Sequence, residues 1–178
     1  GYYRSCGIKT TGELFCWGSG QHGGLGLGDT LNRDVPTQVG SQTDWNMVST
    51  FSYHSCGIRN GGELYCWGDN YKGKLGTGDE NSYTTPQRVG SDSNWNSVSP
   101  AYSYTCGIKN GGELYCWGHN NKGQLGNGVS DGSHYTTPQR VGSDSDWSLV
   151  SAGNWHVCGI KNGGELYCWG SGVYSQLG

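Results

Sequence analysis

Residues 106–118 have the sequence CGIKNGGELYCWG, and this stretch decides the fold of the chain. Two short β-forming runs flank the loop Asn110-Gly-Gly112, which predicts a β-hairpin with a three-residue turn. Glycine at the last loop position suits a left-handed bulge residue. Nearly the same sequence begins at Cys6, Cys56 and Cys158, so the chain contains four copies of one hairpin.

A hairpin centred on Gly111 pairs Cys106 with Cys116 across the two strands. Such a pair occupies a non-hydrogen-bonded position, where Cα atoms lie about 4.5 Å apart, within the disulfide range of about 4.4 to 6.8 Å. The same register leaves room over Gly107 for the ring of Tyr115. Applied to every copy, it predicts four disulfides: Cys6–Cys16, Cys56–Cys66, Cys106–Cys116 and Cys158–Cys168.

The cysteine pattern also predicts the compartment. Pairing of all eight cysteines points to an oxidising environment and an extracellular, secreted protein. Zinc binding is the alternative, but zinc ligands usually lie two to four residues apart and converge in fours. The sequence therefore predicts disulfides and no metal site.

The residues beside each turn carry opposite charges. We expect them to form turn-closing ion pairs and not an acid-base dyad, because they recur in every copy. The expected pairs are Lys9–Glu13, Arg59–Glu63, Lys109–Glu113 and Lys161–Glu165.

Composition excludes several partners. Glycine supplies 34 of 178 residues, only 14% are charged, and the net charge is −3, so there is no basic stripe to bind nucleic acid. No run of about 18 apolar residues is present, which predicts no membrane-spanning segment. Twelve tyrosines and eight tryptophans instead indicate a turn-rich, aromatic β protein.

The four hairpins recur about every 50 residues and define one repeat domain, residues 1–178. Each of the three connectors contains a proline, a Val-Gly pair and a tryptophan. The hairpins lie around 6–17, 56–67, 106–117 and 158–169, and the connectors span 28–55, 78–105 and 128–157.

Together these motifs resemble the regulator of chromosome condensation repeat: GIKxxGELxCWG, then a Gly-rich loop, Thr-Pro, Val-Gly and Trp followed by Val-Ser. The resemblance implies an all-β propeller of four-stranded blades, typically seven, with one blade per repeat of about 50 residues. The chain would then supply about three and a half blades. Self-association or a longer parent chain would have to close such a ring.

Paired cysteines are similar to those of the secreted, disulfide-bearing branch of that family. The founding nuclear member acts on the small GTPase Ran and on chromatin. This chain lacks a basic tail and a long insertion, so the resemblance does not carry that activity over.

No constellation in the sequence predicts catalysis. His22, His119 and His134 are isolated in polar loops and have neither nucleophile-base nor metal-ligand spacing. Repeated ionisable residues are better explained as scaffold than as an active site. We therefore expect a non-enzyme without a cofactor.

The segment between the Val-Ser strand and the Cys strand varies among the repeats. It is rich in aromatic residues, which offer contact area with little conformational entropy to lose. The alternative is that these rings pack between blades or line the central channel. The candidate binding residues are Tyr53, Tyr102, Tyr104, Asn154 and Trp155.

Two functions fit this pattern. The first is a structural or assembly subunit of an extracellular filament, coat, matrix or adhesive, favoured by near-identical, disulfide-stapled, weakly charged repeats. The second is a soluble propeller, either lectin-like or protein-binding, that recognises a glycan or a protein through its aromatic loops.

Overall fold

The computed structural model describes every residue from Gly1 to Gly178 and contains 14 β-strands in four antiparallel sheets. Two 3-10 turns, Gln21–Gly23 and Tyr71–Gly73, are the helical elements. No helix has the length and hydropathy that crossing a membrane would require.

Each sheet forms one blade, and its strands are consecutive in the chain. The first blade contains β1 (Arg4–Ile8), β2 (Leu14–Gly18) and β3 (Arg33–Gln38). The second contains β4 (Trp45–Phe51), β5 (His54–Arg59), β6 (Leu64–Gly68) and β7 (Tyr83–Arg88). The third contains β8 (Trp95–Pro100), β9 (Tyr104–Lys109), β10 (Leu114–His119) and β11 (His134–Arg140). The fourth contains β12 (Trp147–Ala152), β13 (His156–Lys161) and β14 (Leu166–Gly170).

The blades are arranged around an axis, and in blades two to four the strand that begins with tryptophan is innermost. Strand β8 contacts β4 on one side and β12 on the other across the blade junctions, whereas the proline-containing strands β3, β7 and β11 lie at the outer edges. The first sheet has no counterpart of β4 and the fourth has no counterpart of β3. The chain therefore supplies three and a half four-stranded blades, which confirms the predicted all-β propeller.

The hairpins adopt the expected register, with Cys106 opposite Cys116 and the same pairing in every blade. The four disulfides are present, and each joins Cα atoms 4.1 Å apart. The last turn residue has a left-handed φ, for example 79° at Gly112. A Cβ atom there would also lie 2.3 Å from the carbonyl oxygen of Ser145, so both the backbone angle and the space require glycine.

The space over Gly107 is filled by a different ring from the one predicted. A Cβ atom on Gly107 would lie 3.0 Å from the indole of Trp95, which comes from the inner strand β8. Tyr115 packs against the edge of Trp95, with ring centroids 5.6 Å apart. The prediction was wrong because it considered the hairpin alone, whereas the neighbouring inner strand brings a larger ring to this position.

The predicted turn-closing ion pairs were also largely wrong. Lys109 and Lys161 bind Asp92 and Asp144, at 2.7 Å in both cases. Arg59 binds Asp44 at 2.7 Å and lies 3.8 Å from Glu63, the partner expected for it. The loop before the tryptophan strand places an aspartate beside the hairpin, and a sequence-local pairing rule does not include that neighbour. In blades three and four the lysine ammonium also lies over the aromatic rings of Trp95 and Trp147, 5.1 and 5.3 Å from their centroids.

Hydrogen bonds join neighbouring blades in addition to apolar packing. The indole N–H of Trp67 donates to the carbonyl of Gly24 in the preceding blade, at 3.1 Å. The amide of Gly28 donates to the carbonyl of Thr84 on the outer strand of the next blade, at 2.8 Å. A loop of the preceding blade thus contacts the outer strand of the next blade and holds it in place.

Candidate recognition surface

The variable segments that join the Val-Ser strand to the Cys strand lie on one face of the propeller, at the start of each Cys strand. Tyr102 is 43% exposed, Asn154 is exposed, and Tyr53 and Trp155 are half-buried. Tyr53 packs against His22 of the preceding blade, with ring centroids 5.1 Å apart. Four of the five candidate residues therefore lie at the surface, where their contact role stays a prediction.

Tyr104 is the exception, and its prediction as a contact residue was wrong. Its side chain is fully buried. The single proton of its hydroxyl is shared between the backbone carbonyls of His156 and Gly153 in the next blade, and the Gly153 oxygen lies 2.9 Å away. Burial raises the pKa of this hydroxyl well above its usual range. Tyr104 begins strand β9 facing the blade junction, and aromatic character alone could not distinguish that position from its exposed neighbour two residues earlier.

A continuous row of four rings crosses blades two to four, and we call it the aromatic stripe: Tyr71, His119, Trp155 and Tyr102. Tyr71 and His119 have ring centroids 6.4 Å apart, His119 and Trp155 are 6.2 Å apart, and Trp155 and Tyr102 are 5.6 Å apart. The rings are tilted or perpendicular to one another, which are favourable geometries for aromatic pairs. The loops thus present a preorganised aromatic surface.

Two members of the stripe were missed from the sequence. Tyr71 lies in the 3-10 turn of blade two and is 57% exposed, and His119 ends strand β10 and was interpreted as an isolated loop residue. Burial, Lys72 and His134 lower the pKa of His119, in that order of effect, which favours its neutral form. The residues at positions 71 and 119 differ among the four repeats, and this divergence is a signal that the sequence offers. The prediction used such divergence only in the segment before the Cys strand.

A buried ion pair contacts the backbone of Tyr102, one member of the aromatic stripe. The side chain of Lys74 is only 3% exposed, and its ammonium lies 2.6 Å from the carboxylate of Asp69. The same ammonium donates to the backbone carbonyl of Tyr102 at 3.2 Å, which ties the loop of blade three to blade two. Burial lowers the pKa of Lys74, whereas Asp69 opposes that shift. The position of Tyr102 thus depends on a charge pair with little access to solvent.

His54 and His134 occupy separate surroundings. His54 is fully buried and its Nε2 lies 2.9 Å from the hydroxyl of Thr105. Because that hydroxyl donates to the carbonyl of Lys74, it accepts from His54, which assigns the proton to Nε2. His134 lies 2.7 Å from Glu80 at the surface. No three His, Cys, Asp or Glu side chains converge as a metal site would require.

Fold and surface define a disulfide-stapled β-propeller of repeated blades. A family model described as the regulator of chromosome condensation (RCC1) repeat matches residues 11–58, 61–108 and 111–160. A second model of the same description matches residues 147–176. Because these matches cover most of the sequence, the chain belongs to the RCC1 repeat family.

Similar proteins of known structure agree with this fold. Yeast RCC1 (Prp20), in a crystal structure with Kap60 bound, superposes with a TM-score of 0.83 and 21% identity. That match covers 96% of this chain and 42% of the yeast chain. Human WBSCR16 gives a TM-score of 0.82 and 17% identity over 94% of this chain and 45% of that one.

One curated protein matches over a short stretch. The chain is 49% identical over 43 residues to Ras guanine nucleotide exchange factor C of Dictyostelium discoideum. The match covers 21% of this chain and 3% of that protein. The chain thus spans less than half the length of each of these relatives.

Proposed function

We propose that this chain is an extracellular protein-recognition module whose aromatic stripe forms the centre of the binding surface. The observation that carries this proposal is the continuous contact of Tyr71, His119, Trp155 and Tyr102 across three blades. Tyrosine and tryptophan are enriched at binding hot spots because a rigid ring offers a large contact area. Proteins of this fold bind other proteins, as the yeast complex with Kap60 illustrates.

The extracellular location is supported by the disulfides. All eight cysteines are paired and none is free. Structural disulfides persist in oxidising compartments and are rare in the cytosol.

The test compares two tyrosines of matched exposure. Tyr102→Ala, in the stripe, and Tyr167→Ala, outside it, remove rings that are 43% and 45% exposed. A partner isolated on the immobilised chain is purified, and its dissociation constant is measured for both variants and for Trp155→Ala. The stripe variants should weaken binding by about 30-fold, equivalent to a hot-spot loss of about 2 kcal/mol. Equal affinity of Tyr102→Ala and Tyr167→Ala would refute the stripe as the binding surface.

A structural subunit of an extracellular assembly is the second candidate. The presence of one disulfide in each of the four blades favours it, because such stapling resists unfolding outside the cell. Sedimentation of the native protein provides the test. A large particle that dissociates to chains of 19.1 kDa under denaturant would support an assembly, and a stable monomer would contradict it.

A further inference from the structure

A pocket of about 340 Å³ lies between the outer parts of blades one and two, away from the aromatic stripe. Leu27, Trp45, Pro86 and the ring of Tyr65 supply apolar lining, and polar side chains complete the pocket. This volume is at the lower end of small-molecule pockets, which span about 300 to 1,000 Å³. The site therefore has room for a ligand of about one ring.

The repeats supply an internal comparison, because equivalent positions exist at the next two junctions. Arg88 and Arg140 donate to the carbonyls of Ser91 and Ser143, at 3.2 and 3.0 Å, and so tie the outer strand to the following loop. The residue at this position in the first repeat is Gln38. Its side-chain amide lines the pocket and makes no hydrogen bond within the protein.

A second exchange removes the charge that holds the hairpin cation in place. Asp92 and Asp144 bind the lysines of blades three and four, but the first repeat has Gln42 at this position. Arg59 replaces the lysine and turns to Asp44, at 2.7 Å. Gln42 is left exposed on the rim without a hydrogen bond to the protein.

The chemistry of the lining limits the ligand. The charge of Arg59 is already matched by Asp44 and by Glu63, so a charged ligand gains no free partner ion. Two amides that are unpaired within the protein, from Gln38 and Gln42, can donate and accept hydrogen bonds. Apolar carbon of Leu27, Tyr65 and Pro86 lines the same pocket. A ring with a C–H face and a hydroxyl edge complements this arrangement.

We propose that the pocket between blades one and two binds one neutral sugar residue. The apolar face of the pyranose packs on Leu27, Pro86 and the ring of Tyr65, and its hydroxyl groups bond to the amides of Gln38 and Gln42. The site is separate from the aromatic stripe, so sugar binding and protein binding can be tested independently.

The probe is a panel of methyl glycosides of neutral hexoses, pentoses and deoxyhexoses. Each is titrated to tens of millimolar into the 15N-labelled full chain, while side-chain amide and Arg Nε resonances are followed by NMR. We expect at least one glycoside to give saturable shifts at Gln38, Gln42 and Arg59. Absence of saturable shifts with every glycoside would overturn the proposal.

The decisive variant is Gln42→Asp combined with Arg59→Lys, which installs the pair that blades three and four already accommodate. It should weaken glycoside binding at least 10-fold and keep the amide spectrum of a folded protein. The matched control is Asp92→Gln with Lys109→Arg, the opposite exchange at the next junction, which should leave the affinity of the first pocket unchanged. Undiminished binding to the first variant would overturn the proposal even if the protein partner still required the stripe.

Discussion

Replacing Asp69 by Asn should destabilise the protein through the charge that it leaves behind. Lys74 is 3% exposed and its ammonium lies 2.6 Å from the Asp69 carboxylate. Removing one partner of a buried pair typically costs about 3 to 5 kcal/mol, because the other charge stays buried without compensation. Asp69 is itself 19% exposed, and the Tyr102 carbonyl remains as an acceptor, so we expect a loss of about 3 kcal/mol.

The sign of the pH dependence gives this prediction a second readout. Burial lowers the pKa of Lys74 in the folded protein, and loss of Asp69 lowers it further. Between the folded pKa and the unfolded value of about 10.4, the unfolded chain binds more protons, so stability rises with pH. The defect of Asp69→Asn should therefore shrink as the pH is raised from about 7 to about 10, by at most about 1.4 kcal/mol per pH unit.

Urea unfolding followed by tryptophan fluorescence measures both effects. The matched control is Asp69→His combined with Lys74→Gln, which reproduces the residues that blade three has at these positions, His119 and Gln124. This double variant should stay within about 1 kcal/mol of the parent, because it removes the charge together with its partner. An Asp69→Asn protein as stable as the parent at neutral pH would refute the argument, as would a defect independent of pH.

Two further predictions concern a buried histidine and a turn glycine. Burial, then Lys74 and Arg4, lower the pKa of His54, so stability should fall as the pH drops below the unfolded value of about 6.5. His54→Gln should weaken the pH dependence of the urea unfolding midpoint between about pH 7 and about pH 5 relative to the parent. An unchanged slope of midpoint against pH would contradict this role. Gly112→Ala should cost more than about 2 kcal/mol, because it combines a left-handed φ with a carbonyl at 2.3 Å. Gly164→Ala, which has a left-handed φ but an open surrounding, should cost less in the same assay.

The local elements were largely predictable from the sequence, because their causes are local. A three-residue turn with its final glycine sets the register of Cys106 and Cys116, and repetition extends that result to every blade. The wrong predictions involved contacts between segments distant in sequence. Trp95 lies over Gly107, and Asp92 binds Lys109, because the preceding connector returns beside the hairpin.

The candidate surface was predictable only in part for the same reason. Tyr102 and Trp155 lie in the aromatic segment that varies among the repeats, and both belong to the aromatic stripe. Tyr71 and His119 come from the segment after the Cys-Trp-Gly sequence of two different blades. Only the packing of the blades brings them next to Trp155. Tyr104 lies in the same aromatic segment as Tyr102, but its side chain is buried at the junction between two blades. The sequence alone does not reveal which residues face that junction.

The position of the disulfides bears on how such a chain can change over generations. Each bond joins two cysteines 10 residues apart within one hairpin, and none joins two blades. Duplication or deletion of a whole repeat therefore adds or removes both partners of a bond and never leaves an unmatched thiol. A chain that gains or loses one whole repeat therefore keeps an even number of cysteines, each with its partner 10 residues away.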